Sequence, residues 1–158
     1  MRKPVRAVAI IINEKDQVLL IWRRKKDKEY YVFPGGGVED KETVKEAVLR
    51  EVDEETTLQI KIERLLYRHR YIGDSDQFFY LCSYVSGQPT LGEANEKEKM
   101  SKSTDDLYKP QWVELNQLKD LLIYPLEIRD WLLEDLENNF KNTPRKAEME
   151  IRDLRQSL

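Results

Sequence analysis

Short apolar runs rich in β-branched residues alternate with polar turns along the first ninety residues of the chain. Residues 6–12 and 17–22 are two such runs, and the polar turn between them predicts a β-hairpin. Residues 30–33 predict a third, short strand that ends at a proline and three glycines. Residues 58–71 and 77–86 predict two longer strands. This part of the chain is therefore expected to build a sheet.

One helical segment interrupts these strands. Thr43 and Glu46 have the spacing of a capping box, so a helix is predicted from Thr43 to about Glu55. The polar residues 88–106 then predict a loop, and residues 108–115 predict an edge strand with a proline near its start.

The C-terminal part of the chain is expected to be helical. Asn116 can cap a short helix that ends before Pro125, and residues 126–140 carry apolar positions at helical spacing. After Pro144 the pattern predicts a weakly amphipathic tail helix, marked by Met149, Ile151, Leu154 and Leu158.

This order of strands and helices favours an α/β sandwich with a mixed sheet between helices. We expect a domain over residues 1–142 and a C-terminal helical tail over residues 143–158. The tail could pack on the domain, exchange into the partner of a homodimer, or fray.

Length and charge narrow the class of protein. A chain of 158 residues suits one domain with a substantial core. Its formal net charge of -3 argues against a protein that binds long nucleic acids through bulk positive charge. The apolar run at residues 5–12 is too short to span a bilayer, and no signal-peptide cleavage site follows it. The single Cys82 cannot form an internal disulfide, so a cytoplasmic protein with no membrane partner is expected.

Three glutamates carry the first chemical signal. Glu51, Glu54 and Glu55 are spaced at i, i+3 and i+4, which at about 100° per residue places them on one helix face. That face continues the apolar stripe of Val44 and Val48, whereas acids that only solvate a helix should lie opposite it. Like charges so close need compensation, and Mg²⁺ commonly bridges carboxylates to a substrate phosphate. The spacing predicts a metal site and phosphate chemistry, with a solvated surface helix as the alternative.

The residues around these glutamates complete a recognisable motif. With Gly36, Glu42 and Arg50 ahead of them, the segment from Gly36 to Leu58 resembles the Nudix box, G-x5-E-x7-R-E-U-x-E-E-x-G-U, in which U is a bulky aliphatic residue. Thr57 stands where the family has glycine. A β-branched residue resists the left-handed conformation usual after a helix, at a cost of about 1–2 kcal/mol.

The resemblance implies a fold and an activity. The fold would be the Nudix-type α/β/α sandwich with a mixed sheet and a loop-helix-loop catalytic motif. The activity would be hydrolysis of a diphosphate linkage in a nucleotide, nucleotide sugar or dinucleotide, by attack of water at phosphorus with Mg²⁺ or Mn²⁺ as the cofactor. The alternative is a Nudix-fold module that binds a nucleotide or a protein partner with little or no turnover.

The resemblance also implies roles for individual residues. Glu51, Glu54 and Glu55 would be metal ligands, with one of them alternatively accepting the proton of the attacking water. The backbone carbonyl of Gly35 or Gly36 would complete the metal shell. Arg50 would be a catalytic residue that orients the glutamates through charge-assisted hydrogen bonds.

Residues outside the motif supply candidates for the substrate. Positive charges that could bind its phosphates are Arg6, Arg23, Arg24 and Arg70, and Tyr31 is a candidate for stacking a planar group. A further acid from a later loop is expected to join the site. The sequence offers Glu93, Glu96, Glu98, Asp105 and Asp106 without choosing among them.

Overall fold

The computed structural model describes residues 4–90 and 106–150, which form nine strands, two α-helices and one 3-10 helix. The strands are β1 (Val5–Ile12), β2 (Gln17–Lys25), β3 (Lys28–Val32), β4 (Gly35–Gly37), β5 (Gln59–Ile72), β6 (Ser75–Ser86), β7 (Asp106–Glu114), β8 (Ile123–Tyr124) and β9 (Arg145–Glu150). The helices are α1 (Val44–Thr56) and α2 (Leu126–Glu137), and the 3-10 helix is Leu115–Asp120.

The strands form a branched mixed sheet in the order β8-β3-β2-β1-β6-β5-β9. β1 and β2 form the predicted antiparallel hairpin and pair at Ile12 and Val18, beside the turn. β2 pairs along its length with β7. β4 pairs with residues 6–8 of β1 on the same edge as β2, because β6 occupies the opposite edge of β1 from Val5 to Ile12. β7 pairs only with β2 among the described strands, so it is an edge strand as predicted.

The alternation of side chains along β1 explains why both faces of the sheet are covered. Ala7, Ala9 and Ile11 pack in one apolar cluster with the buried face of α1. Val8 and Ile10 point to the other side and pack in a second cluster that includes α2. Because successive strand residues face opposite ways, one buried strand supports both layers. The expected α/β/α sandwich with a mixed sheet is confirmed.

Helix α1 begins where the sequence predicts. Thr43 is its N-cap: its side chain accepts a hydrogen bond from the Glu46 amide at 3.1 Å, and the Glu46 carboxylate accepts one from the Thr43 amide at 3.4 Å. This reciprocal pair satisfies two amides that the first helical turn leaves without partners.

Helix α1 ends at Thr56, and Thr57, which stands at the glycine position of the motif, is its C-cap residue. Thr57 has φ of 62° and so adopts the left-handed conformation itself. Its hydroxyl lies 3.0 Å from the carbonyl oxygen of Gln88 and 3.0 Å from Oγ1 of Thr90, and the Thr90 amide donates to the carbonyl of Thr56 at 2.9 Å. The end of α1 is therefore tied to the residues that follow β6.

The C-terminal region differs from the prediction in two places before residue 145. The short helix with Asn116 as its predicted cap is the 3-10 helix Leu115–Asp120. Asn116 lies inside it, so the predicted cap is wrong, and the N-cap residue Glu114 makes no side-chain cap hydrogen bond. Helix α2 ends at Glu137 rather than near residue 140. Neither described α-helix is long and apolar enough to cross a membrane.

The predicted tail helix is wrong for Arg145–Glu150, which form strand β9 instead. β9 pairs in parallel with β5, with Tyr67 opposite Arg145 and Ile72 opposite Glu150. Arg145 also donates to the carboxylate of Asp135 on α2 at 2.6 Å, which fixes the start of the strand. Residues 151–158 lie outside the described residues, and the domain boundary at residue 142 stays a prediction.

Candidate active site

The glycine strand β4 brings the chain backbone close to helix α1. It pairs with β1, with Gly36 opposite Ala7 and Gly35 opposite Val8. A Cβ atom at Gly35 would come within 2.8 Å of the Val8 Cα, and a Cβ at Gly36 would lie within 2.6 Å of the Glu51 carboxylate. Side chains at these two positions would therefore push the strand away from β1 or displace Glu51.

Arg50 ties the loop ahead of α1 to the helix. Its Nε donates to one oxygen of Glu42 at 2.8 Å, and its Nη2 donates to the other at 2.9 Å. The same Nη2 donates to the carbonyl of Gly37 at 2.9 Å. The hydrogen bonds between Arg50 and Glu42 lower the pKa of the Glu42 carboxyl to about 2. The same hydrogen bonds raise the pKa of the Arg50 guanidinium.

The remaining nitrogen of Arg50 reaches two of the predicted metal ligands. Nη1 donates to Glu51 at 2.8 Å and to Glu54 at 3.3 Å. The Glu51 side chain is 13% exposed, whereas that of Glu54 is 47% exposed. One guanidinium therefore offsets the repulsion between these carboxylates and contacts both of them. The catalytic role of Arg50 stays a prediction.

Glu55 reaches the glycine strand at the next residue. Its carboxylate accepts a hydrogen bond from the Gly35 amide at 3.4 Å, one position before the glycine that contacts Glu51. Glu51 and Glu55 thus both lie against β4, and Glu54 shares Nη1 of Arg50 with Glu51.

This donor set suits a hard divalent cation. All the side-chain donors are carboxylate oxygens, and the absence of a Cβ at Gly36 lets the Glu51 carboxylate lie against the β4 backbone. Within residues 4–90 and 106–150 no three His, Cys, Asp or Glu side chains are already gathered at metal-binding distance. Metal binding by Glu51, Glu54, Glu55 and the Gly36 carbonyl stays a prediction.

Among the substrate candidates, Arg6 lies beside the glycine strand. It is exposed on β1 directly opposite Gly37. It also lines a cavity of about 200 Å³, whose other walls are Val8, Val32, Phe33, Gln77, Phe79, Tyr124 and Pro125. Gln77 and Tyr124 were not singled out in the sequence, because strands β6 and β8 bring them here from distant positions.

The structure gives Arg23 partners within the protein. Its guanidinium lies 4.2 Å from the centre of the Tyr108 ring and 5.5 Å from that of Tyr30. It also contacts the Tyr108 hydroxyl and pairs with Asp106 at 3.5 Å. Of the five candidate later acids, only Asp106 lies among the described residues, while Glu93, Glu96, Glu98 and Asp105 lie outside them.

The other candidates lie in different settings. Arg70 is on β5 and forms an ion pair with Glu148 of β9 at 3.7 Å. Strand β6 separates β5 from β1, the strand with which β4 pairs. The Tyr31 hydroxyl accepts a hydrogen bond from Gln111 at 3.3 Å, and its ring packs on the apolar core. Arg24 is exposed on β2. The structure thus brings Arg6, rather than Arg70, to the glycine strand.

A sandwich in which Arg50-linked glutamates face a glycine strand has the loop-helix-loop arrangement expected of a Nudix fold. The chain belongs to the NUDIX domain family, whose model matches residues 2–134.

Individual relatives agree with this membership. The chain is 35% identical over 119 residues to an ADP-ribose pyrophosphatase of Methanocaldococcus jannaschii, covering 75% of this chain and 66% of that protein. It is 44% identical over 57 residues to an RNA pyrophosphohydrolase of Pseudomonas paraeruginosa, covering 36% of this chain and 35% of that protein. The match thus spans about two thirds of the first relative and about a third of the second.

A solved structure supports the fold. A NUDIX hydrolase from Nitrosomonas europaea superimposes with a TM-score of 0.67 at 16% identity, over 95% of this chain and 79% of that one.

Proposed function

We propose that this chain is a metal-dependent hydrolase that cleaves a diphosphate linkage in a nucleoside diphosphate derivative. The observation that carries the proposal is the linked set of three glutamates: Arg50 donates to Glu51 and Glu54, and Glu51 and Glu55 lie against the glycines of β4. Two relatives named as a pyrophosphatase and a pyrophosphohydrolase support the same reaction class.

Glu51, Glu54, Glu55 and the Gly36 carbonyl would hold Mg²⁺ or Mn²⁺. When bound, the cation neutralises charge on the phosphate oxygens and lowers the pKa of a bound water. Arg50 keeps Glu51 and Glu54 in place and limits their repulsion before the cation arrives. A glutamate freed from coordination would accept the proton of the attacking water.

The substrate would extend from the glycine strand into the cavity beside Arg6. The Arg6 guanidinium would bind a phosphate, because it is exposed and lies on the strand that pairs with β4. Phe33 and Tyr124 line the same cavity and would contact a planar part of the substrate. The cavity of about 200 Å³ favours a small nucleotide over a long nucleic acid in this position.

Nucleotides, nucleotide sugars and dinucleotides all contain the required linkage. The archaeal relative's name makes ADP-ribose the first compound to test. A cytoplasmic, reducing compartment belongs to the proposal, since Cys82 is a buried free thiol whose pKa is raised by burial to about 12.

The test is chromatographic separation of the hydrolysis products formed from ADP-ribose, other nucleotide sugars, dinucleotides and nucleoside triphosphates. Each compound is assayed with Mg²⁺, with Mn²⁺ and with chelator. Glu54→Gln and Glu55→Gln are compared with Asp53→Asn, which changes an exposed acid of the same helix.

We expect metal-dependent turnover of at least one compound, retained in Asp53→Asn and reduced at least about 100-fold in the two glutamine variants. Absence of turnover on every compound, together with tight metal-dependent nucleotide binding, would replace the proposal with the binding-module alternative.

A further inference from the structure

The hairpin formed by β2 and β3 concentrates positive charge that the proposed reaction does not use. Residues 23–29 hold five cationic and two acidic side chains, whereas the whole chain has a formal net charge of -3. Residues 24–29 are all exposed. Such a local excess of three positive charges on an acidic protein marks a surface that attracts anions.

This charge surrounds a cavity with an aromatic wall, which we call the hairpin cavity. It is a shallow depression that opens widely to solvent, with a volume of about 800 Å³, and it is lined by Lys25, Lys26, Asp27, Lys28, Tyr30 and Tyr124. The two tyrosine rings meet edge to face with their centres 5.5 Å apart. The Lys28 ammonium lies 5.1 Å from the centre of the Tyr124 ring and 6.0 Å from that of Tyr30.

The two kinds of group suit a nucleotide unit. Aromatic rings stack bases of any identity, and nearby ammonium groups bind the attached phosphates. Lys25, Lys26 and Lys28 line the cavity, and within residues 4–90 and 106–150 none of them has an ion pair with a carboxylate. Arg23, by contrast, forms an ion pair with Asp106 and contacts the ring of Tyr108. Its guanidinium also lies 5.5 Å from the centre of the Tyr30 ring and so helps to hold that ring in place.

The hairpin cavity adjoins the cavity proposed for the reacting part of the substrate. Tyr124 lines both cavities. On its other side the smaller cavity is bounded by Arg6, which pairs with Gly37, and by Phe33, which leads into β4. A substrate that extends from the glycine strand past Tyr124 would therefore meet the lysines of the hairpin.

We propose that the hairpin cavity binds a second nucleotide unit of the substrate, with its base against Tyr30 and Tyr124 and its phosphates at Lys25, Lys26 and Lys28. This inference rests on the proposed function. A second nucleotide unit is present both in a dinucleoside polyphosphate and in a short oligonucleotide with a 5′-polyphosphate. A mononucleoside substrate would leave the hairpin cavity empty.

The test compares diadenosine tetraphosphate and a 5′-triphosphorylated trinucleotide with ATP. For each compound we would measure kcat/KM with Mg²⁺ and, separately, equilibrium binding in the presence of chelator. The variants are the pair Lys25→Glu with Lys26→Glu, Tyr30→Leu, and Tyr30→Phe, which keeps the ring. The control pair, Lys61→Glu with Lys141→Glu, makes the same change in net charge at exposed positions outside the cavity.

We expect the lysine pair and Tyr30→Leu to lower kcat/KM and affinity at least about tenfold for one of the two-nucleotide compounds, with ATP changed less than about twofold. Tyr30→Phe and the control pair should retain the wild-type preference. The compound that loses most identifies the source of the second nucleotide. Equal losses for ATP, or the same loss in the control pair, would overturn the inference.

Failure of the proposed function has a different signature. If the wild-type protein turns over none of these compounds nor any in the wider panel, the hydrolase proposal fails. The binding measurement still decides the hairpin cavity, because it needs no turnover: no preference for a two-nucleotide compound over ATP there would overturn the inference by itself.

Discussion

Arg50 and Glu42 form a bidentate ion pair, in which Nε of Arg50 lies 2.8 Å from one carboxylate oxygen of Glu42 and Nη2 lies 2.9 Å from the other. The pair joins the loop after β4 to the middle of α1, and the same guanidinium continues to Glu51. Glu42 is not a proposed metal ligand. Through Arg50 it nevertheless helps to orient Glu51, which is one.

This ion pair predicts a pH dependence of stability. The pKa of Glu42 falls from its ordinary 4.5 to about 2 in the folded protein, because Arg50 binds the carboxylate. The stabilisation is fully present above the unfolded pKa and is lost as pH falls through the folded value. The difference in Tm between wild type and Glu42→Gln should be constant above about pH 5 and shrink between about pH 4.5 and 2.

Thermal unfolding followed by circular dichroism from pH 7 to pH 2 would measure this difference. Asp53→Asn, at an exposed acid of α1, supplies the comparison. A gap between wild type and Glu42→Gln that stays unchanged down to pH 2 would contradict the assignment.

Substitution by alanine at two neighbouring glycines should affect activity very differently. In Gly36→Ala the new Cβ would meet the Glu51 carboxylate, whereas at Gly37 no atom lies within 4 Å of a Cβ position. We expect Gly36→Ala to lower kcat/KM about 100-fold, because displacement of a catalytic group by about 1 Å has effects of that size. Gly37→Ala should change it less than about twofold. Steady-state kinetics on the best substrate tests the pair, and equal activities would show that Glu51 can move without consequence.

The hydroxyl of Thr57 should stabilise the fold. Thr57→Val keeps the branched shape and the left-handed backbone but removes the contacts to Gln88 and Thr90, at an expected cost of about 1 kcal/mol. Thr57→Ser keeps the hydroxyl and should lie within about 0.5 kcal/mol of wild type. Urea denaturation distinguishes the two variants, and equal midpoints would mean that the hydroxyl contributes nothing.

The buried carboxylate of Asp135 predicts a larger effect. Asp135 is fully buried and accepts hydrogen bonds from the Tyr67 hydroxyl and from Arg145, both at 2.6 Å. Arg145→Met should destabilise the protein by about 3 kcal/mol, because a buried charge loses its counter-ion. Glu134→Gln alters an exposed partner of the same guanidinium and should cost less than about 1 kcal/mol. Comparable losses for the two variants in a denaturant titration would refute this ranking.

Local patterns in the sequence predicted the parts of the site that lie on one element. The capping box placed the start of α1, and helical spacing placed Glu51, Glu54 and Glu55 on one side. Which glycine each carboxylate meets depends on the pairing of β4 with β1, a contact between segments about thirty residues apart.

The sequence did not reveal two other features. Ala147 and Met149 alternate with charged residues, a period-two signal for β9, but the same residues also fit a weak helix. The choice depends on β5, which supplies an open edge some 78 residues earlier. The sequence also could not show that Arg23 has partners within the protein. Those partners, Asp106 and Tyr108, lie on β7, which pairs with β2.

The pairing of β9 with β5 also determines which strand forms this edge of the sheet. β9 covers the β5 edge from Tyr67 to Ile72, where backbone amides and carbonyls would otherwise lack partners. A chain ended at residue 142 would present that edge to other copies, and open edges template intermolecular sheets. With β9 present, the sheet ends at a six-residue strand that carries Lys146 and Glu148, and short, charged edge strands resist intermolecular pairing. A shortened version that keeps every residue of the proposed site would therefore be more prone to precipitate.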